Sequence, residues 1–123
     1  MEILEGMLKR RDFVMINDLL YRIEEHESDD IVYLNKGESE TSVFGRHVPS
    51  EQKVYIHKHL SNEAKRRTLV HELTHAFVYA YGLEEVVMDE EGCCKFLSIY
   101  SKRINEIADR YMRGDEDAES IRD

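Results

Sequence analysis

His71-Glu72-Leu73-Thr74-His75 places two imidazoles four positions apart, with a carboxylate directly after the first. On a helix such residues stand one turn apart on the same face, so both rings can hold one metal ion at about 2.0–2.1 Å from each nitrogen. A Glu beside them reaches a water on that metal, which makes Glu72 the candidate general base. The implied chemistry is zinc-assisted hydrolysis, in which the metal brings the pKa of its water toward about 7 and polarises a carbonyl. Such a zinc takes three protein ligands and leaves one position open. The downstream carboxylates Glu84, Glu85, Asp89, Glu90 and Glu91 are candidates for the third.

These residues need a helix, and the spacing predicts one over residues 62–81, with Ser61 or Asn62 as N-cap, Glu63 in the first turn and Gly82 at the stop. At about 100° per residue, with His71 at the origin, His75 falls near 40° and Glu72 near 100°. Leu69, Leu73, Ala76, Phe77 and Ala80 occupy the opposite arc, so the chemical face and the core face are distinct. A second helix is predicted from Asp89 to Arg113, where Cys93, Phe96, Leu97, Tyr100, Ile104, Ile107, Ala108 and Tyr111 keep the helical period and Gly114 ends it.

Upstream, Phe13, Ile16, Leu19, Leu20 and Ile23 predict an amphipathic helix within residues 1–27. Three short strands follow at Ile31–Leu34, Thr41–Phe44 and Lys53–His57, separated by Gly37, Gly45 and Pro49. The last residues, 114–123, read as an acidic mobile tail. The expected architecture is one α+β domain over residues 1–113: an N-terminal helix, a small mostly antiparallel sheet, the His-bearing helix and a closing helix.

The chain of 123 residues suits one domain and one modest core. Its net charge of −9 argues against nucleic acid as a partner. No apolar run is long enough to cross a membrane, and the start lacks the pattern of a secretory signal, so a cytoplasmic protein is expected. Adjacent Cys93 and Cys94 cannot form a useful disulfide and read as small apolar core residues.

The run Arg67–Phe77, then Tyr81-Gly82, Glu90-Glu91 and Phe96–Tyr100, resembles the small zinc metallopeptidases of the ImmA/IrrE type found in phages and mobile elements. These belong with the gluzincins, whose general plan thermolysin shares. The resemblance covers roughly residues 45–111 and is strongest at the His helix. It implies a zincin-like fold, a peptide or protein substrate that extends to a single repressor-like partner, and Lys53–His57 as the strand lining the cleft. It also implies Glu91 as the third zinc ligand, while helical geometry gives a competing vote to Glu90. Lys95 stands where the family pattern has an Asp that accepts a ligand imidazole's N–H, and a Lys cannot accept it. That departure favours a rival reading, a zinc-stabilised protein-binding module without catalysis.

A hydrolase of this kind also wants a donor for the developing oxyanion, and His57, His59, Tyr55, Tyr79 and Tyr100 all qualify by type. Tyr79, four residues after His75, has the best position. His47, His57 and His59 read as exposed strand or loop residues. Lys65-Arg66-Arg67 reads as a solvated cationic face or a partner for the acidic tail.

Overall fold

The computed structural model describes residues 9–27 and 44–114. The described chain is α+β, with a four-stranded sheet covered on one face by two helices. Strands β1 (Phe13–Ile16), β2 (Leu19–His26), β3 (Gly45–Val48) and β4 (Lys53–His57) lie in the order β1-β2-β4-β3. The helices are α1 (Asn62–Ala80) and α2 (Glu90–Arg113).

The expected N-terminal helix is instead the β1–β2 hairpin, paired antiparallel from Phe13↔Arg22 to Ile16↔Leu19. Its loop, Asn17-Asp18, has φ of 49° and 68°, both in the left-handed region that a two-residue type I′ turn demands and that Asn and Asp tolerate. Val14, Ile16, Tyr21 and Ile23 alternate into the core, a period-2 signal hidden beneath an accidental three-and-four spacing. Asn17 Nδ2 also donates to the Ala80 carbonyl at the end of α1, at 2.9 Å, which pins the turn to the helix.

The sheet is mixed rather than mostly antiparallel: β2 pairs parallel with β4, and β3 pairs antiparallel with β4 as the edge strand. Lys53–His57 is a strand as expected. The strand expected at 31–34, most of that at 41–44 and the tail at 115–123 lie outside the described residues; Phe44 precedes β3 without joining it.

Both helices match their expected spans closely. Ser61 caps α1 by accepting from the Ala64 amide, and Asp89 caps α2 by accepting from the Gly92 amide. The inner face of the sheet packs Val14, Ile16, Tyr21, Ile23, Val54 and Ile56 against Leu69, Leu73, Ala76 and Phe77 of α1 and Phe96, Ile104, Ile107 and Tyr111 of α2. Polar links tie the layers together: Glu25 of β2 accepts from the Tyr111 hydroxyl at 2.6 Å and from Lys65 Nζ at 3.0 Å. Arg66 donates to Asp109 and Asn105 of α2, both at 2.8 Å. Two of the three residues in the expected solvated cationic run are therefore structural clamps, and Arg67 alone stands exposed.

Cys93 and Cys94 are exposed free thiols, not core residues. The first turns of α2 bury a different side, through Gly92 and Phe96, and Gly92 sits so tightly on the Val86–Met88 turn that an added Cβ would lie 1.6 Å from the Val86 carbonyl oxygen. Gly92→Ala should therefore destabilise the fold by about 2 kcal/mol, since overpacking strain of about 3 outweighs a helix-propensity gain of about 1. Urea unfolding would test this, and an unchanged midpoint would refute the close packing.

Candidate metal and catalytic site

The core residues of α1 set its rotation, and that rotation decides what the H-E-x-x-H residues face. Leu69, Leu73, Ala76 and Phe77 are buried, so His71 and His75, on the other side, are exposed. Their ring centroids lie 5.0 Å apart at 70° to each other, on one helix face. Glu72 falls at the boundary and is only 8% exposed. The arc between the two faces is thus more buried than its amphipathic pattern suggests, because Thr68 and Glu72 are covered by β3.

Gly45 makes that cover possible. A Cβ there would stand 2.7 Å from Thr68 Cγ2, 2.8 Å from the Tyr55 carbonyl oxygen and 3.1 Å from Glu72 Cγ, so only glycine lets the edge strand approach the helix so closely. Phe44, Gly45, Arg67, Thr68, His71 and Glu72 line a groove of about 220 Å³ at this crossing. The groove holds the proposed base and one of the two imidazoles.

Farther along, His47 of β3 reaches the same helix face. Its Nε2 lies 2.8 Å from the hydroxyl of the buried Tyr21, and its ring packs edge-on against Tyr79 with centroids 5.8 Å apart. Burial, then the His75 charge and Arg46, lower His47 from 6.5 to about 4. Burial and then His71 also lower His75, which favours the neutral imidazole that a metal requires. Sequence reasoning missed His47 because nothing in Gly45-Arg-His-Val48 announces a strand; only its pairing, His47↔Val54, puts it on the inner face.

The other expected donors disperse. Tyr55 lies on the opposite sheet face and donates to Glu51, His59 bonds Glu27, and His57 accepts from the His59 amide. Tyr100 packs among Phe77, Tyr81 and Phe96. Tyr79 remains on the His71–His75 face and is 45% exposed.

The donor chemistry fits zinc in part: two imidazoles on one face, with a buried carboxylate beside them in the sequence. Glu90 and Glu91 stand exposed in the first turn of α2. Among the described residues, no group of three or more His, Cys, Asp or Glu is arranged to hold a metal. Neither His71 nor His75 makes a hydrogen bond among the described residues, so their rings lack the partners that usually orient ligand imidazoles. No helix among the described residues is long and apolar enough to cross a membrane.

The shift at His47 has a sign that can be tested. A base whose folded pKa is depressed contributes its full stability above the unfolded value of 6.5 and loses it as pH falls through 6.5 toward 4. His47 should cost the fold about 2 kcal/mol on going from pH 7 to pH 4, allowing for its partial exposure. Urea unfolding at both pH values should show a smaller acid loss in His47→Gln; equal losses in the two proteins would refute the assignment.

In comparisons with known proteins, the chain matches no family model, no curated protein and no solved structure.

Proposed function

We propose that this protein is a zinc-dependent peptidase, and that the observation carrying the reading is the exposed His71–His75 pair flanking a Glu72 buried at the groove under β3. His71 and His75 would hold the metal, with Glu91 supplying the third ligand as the ImmA/IrrE resemblance implies. When bound, zinc acts as a Lewis acid toward the scissile carbonyl and makes water more acidic.

The chain's own residues do the rest. Glu72 accepts a proton from the attacking water as its oxygen bonds to the carbonyl carbon, and returns that proton to the leaving amine as the C–N bond breaks. Its low exposure weakens competition from bulk water for the carboxylate, and Gly45 keeps the backbone of β3 close beside it. The substrate is a peptide or protein segment, and a single regulatory partner is the preferred class. A cytoplasmic setting, with neither nucleic acid nor membrane as partner, accords with the net charge and with the free thiols.

A second reading rests on Lys95, exposed where an acceptor for a ligand imidazole would stand, and on the rings of His71 and His75, which find no hydrogen-bond partner among the described residues. It makes the protein a zinc-stabilised binding module that engages a partner without cutting it. Both readings require the metal, so the first measurement is metal content by plasma mass spectrometry on untagged protein.

About one zinc per chain is expected, and its absence after zinc addition would end both readings. With zinc at a hundred times its Kd, the fold should gain about 2.7 kcal/mol, seen as a higher Tm that a chelator reverses. His75→Ala should abolish this gain. Glu72→Gln should keep the zinc yet lose about 10²–10⁴-fold in cleavage of any peptide the wild type cuts; full activity in that variant would remove Glu72 as the base.

A further inference from the structure

Tyr21 and His47 form a pair that the proposed roles of His71, Glu72 and His75 leave unused. The Tyr21 hydroxyl is buried, and its only hydrogen-bond partner among the described residues is His47 Nε2 at 2.8 Å. A buried hydroxyl proton without an acceptor is costly, so Tyr21 donates to Nε2. Its pKa, pushed up to about 12 by burial and then by Tyr79, keeps that proton in place at neutral pH. With Nε2 accepting, a neutral imidazole carries its own proton on Nδ1. Nδ1 has no partner among the described residues, although the half-buried ring lies beside Tyr79 and within electrostatic reach of His75.

The strand that carries His47 also carries Gly45, two residues earlier, against Thr68 and Glu72. β3 therefore tracks along the chemical face of α1, from the base at one end to His75 and Tyr79 at the other. We propose that His47, oriented by the Tyr21 hydroxyl, is the Nδ1–H donor to the carbonyl oxygen of the scissile peptide, and stabilises that oxygen as it gains negative charge. This rests on the peptidase reading above. A preset donor held by a buried partner needs no reorganisation when charge develops, which is the condition for efficient stabilisation.

Two measurements on the full chain test it. In zinc-free protein, long-range ¹H–¹⁵N spectra of the imidazoles should show His47 as the Nδ1–H tautomer, and Tyr21→Phe should convert it to a mixture; an Nε2–H tautomer in the wild type would overturn the proposal. In zinc-loaded protein, a phosphinic dipeptide serves as the probe, its tetrahedral anion standing in for the reacting carbonyl. Titration calorimetry should show His47→Phe binding it about 10²-fold more weakly at unchanged zinc affinity, with most of the loss restored in His47→Asn, which keeps a donor. If His47→Phe does not fold, Tyr21→Phe carries the comparison, with a loss of about tenfold expected.

If the wild type binds zinc and the probe, and the variants bind both equally well, the role of His47 is refuted while the peptidase reading stands. If the wild type takes up no zinc, both fall together.

Discussion

The setting of α1 about its own axis is the constraint on which the placing of His71, Glu72 and His75 depends. Leu69, Leu73, Ala76 and Phe77 are essentially inaccessible to water, and side chains the size of Leu or Phe each contribute about 1.5–3 kcal/mol by leaving it. Rolling the helix by one residue would expose part of that surface. The core therefore holds His71 and His75 outward and Glu72 at the boundary, with far more energy than the polar residues could supply. A carboxylate at such a boundary lines the groove yet is partly withdrawn from bulk water.

A second constraint acts from the sheet. β3 is an edge strand, and the close approach of its backbone to Thr68 and Glu72 is tolerated because position 45 lacks a side chain. The same strand sets His47 against Tyr79 and near His75. Helix and edge strand meet at a groove lined from α1 by Arg67, Thr68, His71 and Glu72 and from the strand side by Phe44 and Gly45, with His47 farther along β3.

Polar clamps hold the sheet and helices in register. Glu25 receives hydrogen bonds from both Tyr111 and Lys65, and these outweigh the cost of its partial burial, so its carboxyl is held below the ordinary range. Arg66, beside Lys65, joins α1 to α2 at the same end of the interface. Lys65 and Arg66 thus serve the fold. Truncating one partner of such a link would leave the other desolvated and unpaired, a larger loss than the net worth of the bond itself.

Local sequence was enough to specify α1, α2, β4, a cap at Ser61 or Asn62, the stops at Gly82 and Gly114 and the pairing of two imidazoles on one face. Each of these follows from spacing, a capping side chain or a glycine within a few residues, and the i, i+4 geometry of a helix needs no tertiary partner. The N-terminal hairpin was legible only in part. Phe13, Leu19, Leu20 and Ile23 satisfy a helical period by coincidence, and the deciding signal was the tolerance of Asn17-Asp18 for positive φ. What lay beyond the sequence is what depends on neighbours distant along the chain. The antiparallel pairing of β3 with β4 turns His47 toward α1, Gly45 acquires meaning only from the helix above it, and Tyr21 meets a ring 26 residues away. Local propensity determines which elements form. Close packing between them decides which side chains meet, because burial and hydrogen bonding reward contact irrespective of separation in sequence.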